Sequence, residues 1–162
     1  MITINLLTKI NKRFIKKIIK LSSQKGFYLF FALNEREKEM YLEIFKSRLP
    51  SLSITPMWKW PGTILSPSAS PQWGIKTKII DSEIPILLSF IADNLLIRSI
   101  ARGDFAILDK EFCPWFVTII HEYDAYFITD EEDSNDAIPF LQENHFRFYI
   151  KKSIYEPEYT PY

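Results

Sequence analysis

Residues 105–129 read Phe-Ala-Ile-Leu-Asp-Lys-Glu-Phe-Cys-Pro-Trp-Phe-Val-Thr-Ile-Ile-His-Glu-Tyr-Asp-Ala-Tyr-Phe-Ile-Thr. Two apolar runs of strand length, Phe105–Leu108 and Trp115–His121, flank a polar break, and Tyr126–Thr129 returns as a hairpin partner. Strands this close together pair as hairpins, so the reading of this stretch sets the fold class.

Helical patterns surround it. On the N-terminal side, residues 4–24 carry Leu7, Ile10, Phe14, Ile18 and Leu21 at steps of three and four, one stripe of an amphipathic helix. Lys9, Lys12, Arg13, Lys16, Lys17 and Lys20 fill much of its remaining surface, and Gly26 ends it. Phe27–Leu33 is a strand-length apolar run. Asn34 then caps a second helix, with Glu37 closing the box, Met40, Tyr41, Ile44 and Phe45 buried, and Pro50 stopping it. Leu52, Ile54, Trp58 and Trp60 suggest an extended segment that Pro56 keeps from a central sheet position. Residues 61–73, rich in Pro and Ser, read as a long loop. Ile75–Ile80 alternates with Lys76 and Lys78 as a strand wet on one face.

From Ser82, a helix is expected over Glu83–Ala101, with Pro85 in its tolerant first turn and Gly103 beyond its end. After the central hairpins, Asp136 opens a short helix over Ala137–Glu143. Phe146, Phe148 and Ile150 then alternate with Arg147, Tyr149 and Lys151 in a final strand. Helices interspersed with hairpin-like strand pairs predict an α+β fold: one domain over residues 1–154, a mixed or mainly antiparallel sheet, and helices packed on one face. Residues 155–162 read as a C-terminal tail.

The 162 residues suffice for one core, and 47% apolar content with thirteen Phe excludes global disorder. A single cysteine, Cys113, cannot support an internal disulfide framework and fits a reducing compartment. The start, Met1 to Lys12, shows no continuous apolar stretch, and no segment reaches the ~18–20 apolar residues of a spanning helix. The chain therefore reads as soluble, cytoplasmic and of bacterial type, without a membrane span.

Charge is split by position. Residues 1–80 carry fourteen Lys and Arg against four Glu, a balance of +10; residues 81–162 carry six against sixteen Asp and Glu, a balance of −10. Such asymmetry creates a field that selects charged partners. Between Asp104 and Asp136, ten carboxylates stand against Lys110, a balance of −9. Docking onto a basic protein would relieve their mutual repulsion and speed encounter. The expected partner-binding surface comprises Glu122, Tyr123, Asp124, Tyr126, Asp130, Glu131, Glu132, Asp133 and Asp136, with Phe127 as a further aromatic anchor.

The function so predicted is a non-enzymatic inhibitor, an immunity protein or antitoxin neutralising a basic, nuclease-like toxin. The competing reading of these charges is a solvated loop running into a helix N-terminus. A second functional reading is a nucleic-acid-binding module in which Trp58, Lys59, Trp60, Trp73, Lys76 and Lys78 form a stacking surface beside positive charge. A third is a homo-oligomer joined through the oppositely charged halves.

Catalytic signatures are weak. Asp130–Asp133 lacks calcium-loop spacing, no His pair or second cysteine supports zinc, and a divalent ion on Glu122, Asp124 and Asp130 is the remaining metal arrangement. Activating Cys113 would need a base, and the nearest in sequence are His121, about 26 Å away along an extended strand, and Asp124. The four glycines are isolated, so no phosphate loop forms. No cofactor, metal or catalytic residue is assigned.

Overall fold

The computed structural model describes residues 2–7, 10–34, 38–39, 42–43, 46–57, 59–60, 63–64, 72–96, 105–119, 124–130 and 134–152. Among these, the strands are β1 (Ile2–Leu6), β2 (Tyr28–Asn34), β3 (Ser53–Met57), β4 (Lys59–Trp60), β5 (Thr63–Ile64), β6 (Gln72–Lys78), β7 (Phe105–Leu108), β8 (Pro114–Ile119), β9 (Asp124–Thr129) and β10 (Phe148–Lys152). The helices are α1 (Lys12–Lys25), α2 (Ile84–Leu96), which follows a 3-10 turn at Asp81–Glu83, and α3 (Ser134–Glu143), and residues 38–39 and 42–43 are helical as well. Eight strands form one sheet in the order β10-β1-β9-β8-β7-β2-β6-β3, and every neighbouring pair is antiparallel. The fold class is α+β.

Sheet parity sorts the core. Ile4, Leu29, Phe31, Ile75, Phe105, Ile107, Phe116 and Phe127 point to one face, where they pack with Phe14, Ile15, Ile18 and Ile19 of α1, Leu87 and Ile91 of α2, and Ala137 and Leu141 of α3. Helices α1, α2 and α3 therefore lie on a single face. A smaller cluster on the other face gathers Phe30, Ala106, Leu108, Val117 and Ile128, with Tyr28, Phe112 and Tyr126 against it.

One register shift supports the helix-side core. Between Ile107 and Leu108 the β7–β8 pairing slips, so that Leu108 faces Pro114 and Trp115 becomes the extra residue. A bulge turns two consecutive side chains toward one face. Trp115 accordingly joins Phe116 on the helix side, 5.2 Å from Phe27 and 4.9 Å from Phe127 between ring centroids.

The N-terminal expectation needs correction. Residues 4–24 are not one helix: Ile2–Leu6 form β1, inserted between β10 and β9. Ile2 and Ile4 are buried while Thr3 and Asn5 face away, a period of two inside a stretch that also satisfies a period of 3.6. Helix α1 begins after Asn11, whose Oδ1 accepts the Phe14 N–H at 2.9 Å. It closes in a Schellman motif: left-handed Gly26 (φ 70°) donates to Ser23 O, and Phe27 N–H to Ser22 O. Exposed Lys12, Arg13, Lys16 and Lys20 line its outer side.

Other boundaries also move. Ser82 lies inside the 3-10 turn instead of capping a helix at Glu83, and the α-helix proper starts at Ile84. Helix α3 starts at Ser134, which places Asp136 in its first turn. Its end repeats the Schellman pattern with His145 in the left-handed position (φ 58°), donating to Gln142 O while Phe146 donates to Leu141 O. Residues 63–64 pair with 59–60 and residues 72–73 open β6, so the expected loop over 61–73 is interrupted. Pro56 lies on β3, an edge strand, where its missing N–H is tolerated. Residues 155–162 and the part of the expected helix from 97 to Ala101 lie outside the described residues.

Glu83 is a local weak point. One carboxyl oxygen is buried with no hydrogen-bond partner among the described residues, and burial raises its pKa from the ordinary value near 4.5. The folded state thus holds this proton more tightly than the unfolded chain. Stability falls as pH rises through the window between the ordinary value and the raised one. Glu83→Gln is expected to raise the neutral-pH melting temperature slightly. The gain should vanish below pH ~4 in thermal melts. An equal gain at both pH values would assign it to packing.

Candidate functional site

The β7–β8 turn is built around Asp109. Its Oδ1 accepts N–H bonds from Glu111 at 2.9 Å and Cys113 at 2.8 Å, an Asx-type turn closing the hairpin. The Asp109 N–H donates to Cys113 O at 2.9 Å, and Phe112 N–H donates to Asp109 O at 3.2 Å. Phe112 is left in the left-handed region (φ 64°), unfavourable for a residue with a Cβ. Its ring is held from outside the turn: Tyr28 lies 4.8 Å away between centroids, and Lys76 Nζ sits 3.6 Å from its centre.

This turn carries negative charge. Burial first, then the charges of Asp109 and Glu111, push the Cys113 thiol pKa up from its ordinary value. That direction suppresses thiolate and works against nucleophilic activation of Cys113. His121 lies outside the described residues.

Among the described residues, the acidic tract is divided between the two ends of the sheet. Strand β9 runs from Asp124 to Thr129, and Asp130 follows its far end. At ~3.3 Å per residue, Asp124 and Asp130 stand roughly 20 Å apart at opposite ends of the sheet. Asp130 lies at the end where β7 turns into β8, one strand over from Asp109–Cys113. Asp124, across from Ile119, occupies the other end. Both are exposed. Glu122, Tyr123, Glu131, Glu132 and Asp133 lie outside the described residues, each group adjoining one end of β9 in sequence.

Three expected contact residues change role. Asp136 is engaged by Lys25 at the end of α1, so a cation from the basic half already occupies it. Tyr126 is half-buried and packs on the second sheet face against the Phe30–Val117 cluster, away from both strand ends. Phe127 is fully buried, with its ring 4.9 Å from that of Phe116. Alternation along Ala125–Thr129 was the signal separating these two rings. Glu111, at the tip of the turn and exposed, is the residue the expected set missed. An Asp opening a short polar break between the Phe105–Leu108 and Trp115–Ile119 runs is the pattern that locates that tip.

Strand β6 divides the aromatic–basic set. Trp73 shares its face with buried Ile75, while Lys76 and Lys78 project from the opposite face. Half-buried Trp73 receives Lys38 Nζ 3.6 Å from its ring centre. Burial lowers the Lys76 pKa, and its ammonium rests on Phe112. Lys78 is exposed, and its backbone N–H donates to Ser51 Oγ at 3.0 Å. Lys59 and Trp60 belong to the separate β4–β5 ribbon, and Trp58 lies outside the described residues. No single stacking platform joins Trp73 to Lys76 and Lys78.

Among the described residues, no cluster of His, Cys, Asp and Glu is arranged to hold a metal ion, and no helix is long and apolar enough to cross a membrane. No protein-family model, curated protein or solved structure matches the chain.

Proposed function

We propose that the protein is a non-enzymatic inhibitor acting in the cytoplasm, such as an immunity protein or antitoxin, that covers a basic, nuclease-like partner with one acidic end of its sheet. The supporting observation is the convergence of Asp109, Glu111 and Asp130 at the same sheet end, which Lys78, Lys110 and Lys152 share. The excess of negative charge comes from Glu131, Glu132 and Asp133, which follow Asp130 directly in sequence. In mechanism, these carboxylates meet the lysines and arginines with which the partner grips phosphate, and occlude them. Opposite potentials act mainly on the association rate. Asp124 and Asp136 have no part in this docking end, because one is at the far side and the other is already paired with Lys25.

The test begins with a low-salt pull-down from source cells to identify a basic binder. Its association rate is then measured with the protein and with a variant carrying E111Q, D130N, E131Q, E132Q and D133N. The variant should associate at least ten-fold more slowly at low salt, and the difference should shrink near 1 M salt, where the screening length is about 3 Å. Asp124→Asn serves as the control and should leave the rate unchanged. Equal rates for the five-site variant and the protein would remove this end of the sheet from the account.

A further inference from the structure

We propose that β10 is a self-recognition edge through which two copies join their sheets into one, with a two-fold axis at Ile150. Strand β10 terminates the sheet beyond β1. Tyr149 and Ile150 are 50% and 49% exposed, whereas Ile4, the neighbour of Ile150 on β1, is completely buried. Half of an isoleucine and half of a tyrosine thus face solvent on a strand that, among the described residues, pairs on one side only.

The hydrogen-bond phase of that strand follows from its inner neighbour. Leu7 N–H donates to Arg147 O at 2.8 Å, and the β1–β10 register continues Leu6↔Phe148, Asn5↔Tyr149, Ile4↔Ile150. In an antiparallel ladder, hydrogen-bonded and non-hydrogen-bonded pairs alternate. Arg147, Tyr149 and Lys151 therefore turn their backbone groups toward β1, and Phe148 and Ile150 turn theirs outward. An incoming strand finds the N–H and C=O of Ile150 at the centre of this edge.

The sequence Phe148-Tyr149-Ile150-Lys151-Lys152 is complementary to itself when reversed. In an antiparallel register centred on Ile150, Ile150 of one copy pairs with Ile150 of the other through their outward backbone groups. Tyr149 of each copy then faces Lys151 of the other. These are non-hydrogen-bonded pairs, whose Cα atoms approach to about 4.5 Å, so ammonium and ring come within cation–π reach. Lysine on an edge strand normally keeps copies apart. Here the register sets each Lys151 against an aromatic ring instead of another lysine. An edge pair of five residues is smaller than a standard interface, which sets the expected affinity in the micromolar range or weaker.

Sedimentation equilibrium of the full chain across concentrations tests the proposal. A monomer–dimer equilibrium is expected. Ile150→Pro removes an outward N–H and no bond to β1, and should weaken dimerisation at least ten-fold. Tyr149→Lys sets lysine against lysine and should do the same. The double variant Tyr149→Lys with Lys151→Tyr restores both cross-strand pairs and should recover dimerisation to within about three-fold. Far-UV circular dichroism and thermal melts of each variant establish that it is folded, and the swap keeps the test decisive if the proline variant is not. A monomer at every concentration would overturn the proposal, as would dimerisation indifferent to Tyr149→Lys. Protection of β10 from amide exchange only when an acidic peptide such as poly-glutamate is added would overturn it in favour of a foreign strand.

Discussion

Phe14→Ala lowers the unfolding free energy by about 3–5 kcal/mol, and Leu7→Ala changes it by no more than ~0.5 kcal/mol, in urea titrations at neutral pH. Both residues belong to the apolar stripe that the sequence draws through residues 4–24. Their fates differ because only one is on α1. Phe14 is completely buried, with ring centroids 5.6 Å from Phe116, 6.0 Å from Phe140 and 4.7 Å from Phe146. It therefore joins α1 to the sheet, to α3 and to the segment leading into β10. Truncation leaves a cavity walled by rings from three elements, which cannot close without moving a whole helix. Leu7, beyond the end of β1, is 57% exposed. Against a total stability of about 5–15 kcal/mol, the Phe14 variant should melt on the order of 10 °C lower. Equal losses at the two positions would mean that residues 4–24 do form a single helix and that β1 is misplaced.

The same contrast explains what could be read from the sequence. Elements whose signal is local were legible: α1 from its 3.6 period and Gly26, α3 from Asp136 onward, β8 and β9 from their apolar runs, and the edge position of β3 from Pro56. Strand β1 was not, because Ile2–Leu6 becomes a strand only by lying between β9 and β10, whose residues are more than a hundred positions away. No local pattern encodes that proximity. The bulge at Trp115 escaped for a related reason. It is defined by where β7 sits against β8, and simple alternation would send Trp115 and Phe116 to opposite faces.

The candidate site was legible in composition and illegible in arrangement. Charge counting found the carboxylates, but a run of charges carries no record of which end of a strand each occupies. A six-residue strand, β9, separates Asp124 from Asp130, and Lys25 reaches Asp136 across more than a hundred residues. Likewise, Trp73, Lys76 and Lys78 are neighbours in sequence, yet the pleat of β6 sends the tryptophan and the lysines to opposite faces. The placement of Asp109 and Glu111 beside the end of β9 depends on the β7–β8 hairpin.

That hairpin supplies the second large expected effect: Thr118→Val destabilises the fold by about 2–4 kcal/mol, while Thr118→Ser costs only about 1 kcal/mol. The β7–β8 ladder pairs Ala106 with Val117, and at the next position the side chain of Thr118 substitutes for the backbone. Its Oγ1 accepts the Phe105 N–H at 2.8 Å and donates to Phe105 O at 2.9 Å. Both residues are completely buried, so water cannot replace the hydroxyl. Valine keeps the shape of threonine and removes both bonds, leaving a donor and an acceptor unsatisfied at about 1–3 kcal/mol each. Serine keeps both bonds and loses a methyl group, about 0.8 kcal/mol. Urea titration of the two variants separates hydrogen bonding from packing, and exchange of the Phe105 amide should accelerate in the valine variant alone. Thr118 clamps the end of the hairpin farthest from Asp109, so Thr118→Ser should leave partner association intact. If valine proved no worse than serine, the hydroxyl would not be what holds β7 against β8, and the placement of Asp109 and Glu111 beside Asp130 would need another cause.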